Sequence, residues 1–153
     1  ACRSAPDPNE SRLSLQCTRS MRPVMALIRS TGLRKRFGDV PLVQGGRSNG
    51  ARVACRTAEA AGAAGVVALA FPLHPPGRPE KTRVEELRSA GVEVVVVNGD
   101  RDPFGVPGPA DAAQVAVLPG ERHDLGKDPA AVGRAVEPWL KRWAARPVRT
   151  GRR

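Results

Sequence analysis

Aromatic residues are scarce in this 153-residue chain: three Phe, two Trp and no Tyr. That leaves no stacking platform of the kind single-stranded nucleic acids need. No apolar run approaches the roughly 18 residues that cross a bilayer, so no membrane-spanning helix and no membrane partner is expected. The best stand-in for a leader, "PVMALI" at residues 23–28, is too short and too far in. The three cysteines, Cys2, Cys17 and Cys55, have no paired spacing and leave one over. They read as free thiols in a reducing cytoplasm. No Lys follows the glycines of "GGRSNG" as a phosphate-cradling loop requires. Neither a metal nor an organic cofactor is expected.

Acidic residues are outnumbered, and the formal net charge is +10. The excess lies at the ends: residues 1–40 carry +5, residues 141–153 carry +6, and the stretch between is balanced at −1. A basic tail such as "KRWAARPVRTGRR" reads as a solvated terminus. Specific nucleic-acid binding is therefore not expected, although a basic-tailed binder is one reading of the charge.

What is present is an alternation of strand-like and helix-like segments from Pro41 onward. Strands are predicted at 41–46, 65–72, 92–99 and 113–120, the third being the β-branched run "VEVVVVNG". Helices are predicted at 49–61 (Val53, Ala54, Thr57, Ala58 and Ala61 inward) and 78–91 (Val84 and Leu87 inward). A last helix is expected to open on Asp128 as N-cap with Pro129 behind it. Its stripe is Val132, Val136, Trp139 or Leu140, and Trp143, with a bend expected at Pro138. Strands alternating with helices argue for an α/β fold, a parallel sheet with flanking helices. The chain divides into an irregular segment at 1–19, one domain at 20–146 that opens on a helix-like stretch at 20–31, and a basic tail at 147–153.

The chemistry rests on "VQGGRSNGARVA", residues 43–54. Gly46, Arg47, Ser48, Asn49 and Gly50 fit G-x-S-x-G between a strand and a helix, the setting in which a sharp turn exposes a serine nucleophile. The bland alternative is a glycine-rich connection. A nucleophilic serine needs a base, and the base an orienting acid. Asp102, in "NGDRDPFG", follows the strongest strand; His123, in "PGERHDLGKDP", follows the next. The order Ser, acid, His and the loops after successive strands are what such a triad requires. Asp100 is the competing acid and reads as a turn cap. Asp124 reads as solvated. His74, in "FPLHPPGRPEK", precedes the acid and reads as a lining residue of the site mouth or an exposed loop residue. "D-R-D" after a strand also suggests a phosphatase-type pair, but Pro103 and Phe104 stand where a hydroxyl residue belongs.

With these segments in place, the sequence resembles the α/β-hydrolase superfamily. More narrowly it resembles the dienelactone-hydrolase-related branch called the KANL/Tex hydrolase-like family, on "GGRSNGARVA", "FPLHPPGRPEK" and "NGDRDPFG". The resemblance covers about residues 20–145. It implies Ser48 as nucleophile, Asp102 as acid, His123 as base and His74 near the substrate. The backbone N–H of Asn49 is the evident oxyanion donor. The resemblance also implies earlier strands and a glycine-rich oxyanion loop that this chain does not match. The expectation is thus the C-terminal part of the fold, N-terminally truncated, weakly active, and prone to self-association through the exposed edge of strand 41–46. The expected function is hydrolysis of an ester or related acyl bond in a small-molecule substrate. A non-catalytic remnant or interaction module with the same fold is the alternative.

Overall fold

A computed structural model describes Arg36 and residues 40–146; the predicted helix at 20–31 and both terminal segments lie outside the described residues. Four strands form one parallel sheet: β1 Val43–Arg47, β2 Gly65–Leu69, β3 Val94–Gly99 and β4 Gln114–Leu118, lying side by side in chain order. The helices are α1 Asn49–Thr57, α2 Glu85–Arg88 and α3 Pro129–Ala144.

Strand alternation sorts the core into two layers. Val66, Ala68, Val94 and Val96 face α1 and α2, packing with Ala51, Ala54, Cys55, Ala58 and Leu87. Val67, Leu69, Val95 and Val97 face α3, with Val136 and Trp143. β3 is buried along its whole length, which is why it reads as an unbroken valine run rather than an alternation. On the α3 side Gly65 is obligatory, since a Cβ there would lie 2.2 Å from the Trp143 ring. The indole N–H of Trp143 donates to Glu93 at 3.0 Å, satisfying its one polar group at the bottom of the sheet.

Two expectations need correction, and one open alternative is resolved. The helix predicted over 78–91 is only the four residues Glu85–Arg88. The stretch before it, "RPEKTR", has no apolar residue to bury and runs as turns. Helix α1 stops at Thr57, and Val53 is 51% exposed; its small alanines lie closest to the sheet instead. On α3, Trp139 packs inward and Leu140 is exposed. The helix continues through Pro138. Its N-cap is as expected: Asp128 accepts from the Ala131 N–H at 2.9 Å, and that bond holds its carboxyl below the usual range.

Among the described residues no helix is long and apolar enough to cross a membrane. β1 and β4 are the two edges of the described sheet.

Candidate active site

Parallel strands of one sense bring their C-terminal ends to one rim, and the loops there collect functional groups. Ser48 leaves β1 directly into α1. Its backbone sits at φ 55°, ψ −121°, a region non-glycine residues avoid, at a cost of about 1–3 kcal/mol that the surroundings must offset. They do so on both sides. Ser48 N–H donates to Leu69 O at 2.9 Å, and Ser48 O accepts from Ala51 and Arg52 at 3.0 and 3.3 Å. Gly46 lets the helix return this closely, because a Cβ on it would lie 2.4 Å from the Gly50 carbonyl carbon. The second glycine of the motif is not needed for space: a Cβ on Gly50 meets no described atom within 4 Å. The N–H of Asn49, first in α1, has no intrahelical acceptor by its position.

Ser48 and His123 are brought together across 75 residues of sequence, Oγ to Nε2 at 2.9 Å. The other ring nitrogen, Nδ1, lies 2.8 Å from Asp102 Oδ2. The carboxylate can only accept, so the network assigns the proton to Nδ1 and leaves the Nε2 lone pair facing the serine hydroxyl. The Asp102 side chain is fully buried, and that of His123 is 24% exposed. The Phe104 ring stands against the imidazole at 4.3 Å between centroids.

The competing acid is elsewhere. Asp100 is exposed and accepts from Gly120 N–H at 2.7 Å, tying the β3 exit to the β4 exit. Asp124 is exposed, as expected; its backbone oxygen accepts from the Arg47 guanidinium at 2.9 Å. That bond joins the serine turn to the histidine loop. His74 takes no part in the relay. Its ring donates to Pro75 O at 2.9 Å, its backbone N–H donates to Phe104 O at 3.0 Å, and its ring edge crowds Gly105. It therefore braces the turn that carries the acid.

Two buried polar residues of the site had escaped sequence reasoning. Glu121, 2% exposed, folds the histidine loop around its carboxylate by accepting the N–H groups of Lys127 and Asp128 at 3.2 and 2.5 Å. Its carbonyl accepts from Arg101 N–H at 3.0 Å, joining that loop to the acid's turn. Asn98, wholly buried, touches Phe71, Asp102 and Gly105. The only sequence signal for either is a polar residue inside or directly beside an apolar strand.

Other groups near α1 are structural. Arg52 grips Glu86 through two hydrogen bonds of 2.9 and 2.7 Å, clamping α1 to α2, and that contact raises the guanidinium's affinity for its proton. Burial, helped by the charge of Glu86, pushes the Cys55 thiol up to about 12, so it is inert near neutrality. No group of His, Cys, Asp and Glu among the described residues could hold a metal ion.

A family model described as "Alpha/beta hydrolase domain" matches residues 8–128, a span that contains Ser48, Asp102 and His123. The chain belongs to the alpha/beta hydrolase family, and its parallel sheet with flanking helices is that fold. No curated protein matches it. Among solved structures, it is similar to a protein from Thermoplasma acidophilum described as a "predicted CIB-like hydrolase". Identity is 15%, with a TM-score of 0.49, covering 78% of this chain and 60% of that one.

Proposed function

We propose that the chain is a serine hydrolase that cleaves an ester or related acyl bond through Ser48, His123 and Asp102. The observation that supports this reading is the hydrogen-bonded relay from Asp102 Oδ2 through His123 to Ser48 Oγ, at 2.8 and 2.9 Å. His123 Nε2 takes the hydroxyl proton as Oγ attacks the acyl carbon. The carbonyl electron pair becomes an oxyanion, which the Asn49 N–H stabilises. The imidazolium, held by Asp102, returns its proton to the departing alkoxide, leaving an acyl-serine and an alcohol. Water, deprotonated by the same imidazole, then releases the acid and restores Ser48. His74, through its grip on the Phe104 turn, borders the substrate's approach.

A fluorophosphonate probe tests this directly, since its phosphorus takes the place of the acyl carbon. Intact mass and peptide mapping should find one adduct, on Ser48, absent from Ser48→Ala and strongly reduced in His123→Ala. A folded chain that never labels would reject the proposal and favour the alternative, a non-catalytic interaction module on a hydrolase fold.

A further inference from the structure

Asn98 is the next-to-last residue of β3, directly after a run of four valines, and its side chain is fully buried. Burying an amide is unfavourable unless it is hydrogen-bonded, and this one is bonded on every side. Its Oδ1 accepts from Phe71 N–H at 2.8 Å. Its Nδ2 lies 3.3 Å from Phe71 O, from Gly105 O and from Asp102 Oδ2. The two Phe71 bonds have a plain architectural purpose. β2 ends at Leu69, Ala70 turns at φ 46°, and the next backbone groups need partners. The other two bonds do something else, because both land on the turn that holds the acid.

The carboxylate of Asp102 is held by both oxygens. Oδ1 accepts from Phe104 N–H at 2.9 Å; Oδ2 accepts from His123 and from Asn98. Rotation about the last side-chain bond of Asp102 would break these contacts together, so the amide fixes the plane in which Oδ2 meets the imidazole. The amide's orientation is fixed in turn: Oδ1 is committed to Phe71 N–H, which leaves only N–H groups to face the carboxylate. We infer that Asn98 is a positioning residue, locking the Asp102 carboxylate onto His123 Nδ1 by tying it to the end of β2. The effect on rate rests on the serine-hydrolase reading above; the effect on the Asp102–His123 contact does not.

The test is proton NMR of the full chain combined with fluorophosphonate labelling. In the unmodified protein His123 Nδ1–H should appear as a protected, far-downfield proton. In Asn98→Ala that signal should broaden away through exchange with water. The Trp143 indole N–H, at the far end of the sheet, should persist as the sign of an intact fold. Labelling of Ser48 should slow by about 10²-fold, the usual consequence of an ångström-scale misplacement. An unchanged Nδ1–H signal in folded Asn98→Ala overturns the inference. Should that variant fail to fold, the unmodified chain decides. The Asn98 amide protons should exchange far more slowly than those of exposed Asn49, and should shift on Asp102→Asn. Fast exchange, or indifference to that substitution, refutes the role. If Ser48 never labels while the Nδ1–H signal responds as expected, the serine-hydrolase reading falls and the positioning role stands.

Discussion

Gly99→Ala tests how the acid's turn and the histidine's loop are held in register. A Cβ built on Gly99 lies 2.2 Å from the Glu121 carbonyl oxygen, 2.3 Å from its carbonyl carbon and 2.9 Å from Arg122 N. All three atoms are backbone, so no side chain can swing aside. Real Cβ contacts are essentially never under 3.0 Å, so the loop must retreat by about 0.8 Å or more at its nearest atom. The Arg101 N–H to Glu121 O bond, now 3.0 Å, is in the path of that retreat. His123 lies two residues further on and moves with the loop. Displacement of this size costs on the order of 10²-fold in rate. Overpacking a filled site costs about 1–3 kcal/mol of stability, a fall in Tm of several degrees for a domain of this size. The matched control is Gly50→Ala. Its new methyl meets no described atom within 4 Å and it sits in a helix, so it should retain labelling and gain about 0.5 kcal/mol. Labelling rates of Ser48 and thermal melts of both variants provide the comparison. A Gly99→Ala protein that labels at the original rate would refute the reasoning, since it would show the two loops to be independent.

Asp102→Asn should reduce Ser48 labelling by about 10⁴-fold, as expected when the acid of such a relay is neutralised. Asp100→Asn, which only alters a turn contact, should change it little; equal small losses would reject the assignment. Glu121→Ala removes the carboxylate acceptor of two part-buried backbone N–H groups, each such bond to a charged group contributing about 1.5–3 kcal/mol. Its melting temperature should drop well below that of Glu121→Gln, which keeps an acceptor in place, and matching melts would contradict the capping role. Cys55, studied with Cys2 and Cys17 replaced by Ser, should resist alkylation at neutral pH until the chain is unfolded. Its folded value of about 12 stands above the ordinary 9.0. Its contribution to stability is therefore complete below about pH 9 and is lost as pH rises toward 12; urea melts across that range check the sign.

The sequence by itself determined the alternation of strands and helices from Pro41, and with it the serine at a strand exit and the acid and histidine after later strands. Those signals are local. They lie in the valine run at 94–97, the Asp128–Pro129 helix start, the glycines around Ser48 and the order of three residue types along the chain. Long-range contacts decided the rest. Asp100 and Asp102 are two residues apart in one turn, and only the path of that turn sends one to the Gly120 backbone and the other to the imidazole. Val53 has the residue type of a core position, yet the close approach of α1 to the sheet is made by Ala51, Ala54 and Ala58. Asn98 stands near the end of β3 and Glu121 in the loop after β4. What each does depends on the atoms that face it. Those atoms belong to Phe71, Asp102 and Gly105 in one case and to Arg101, Lys127 and Asp128 in the other. A buried polar group takes its meaning from its partners: Phe71 and Arg101 reach Asn98 and Glu121 from neighbouring strand ends, which only the assembled sheet brings together, while Asp102, Gly105, Lys127 and Asp128 are placed by the path of the turns that follow.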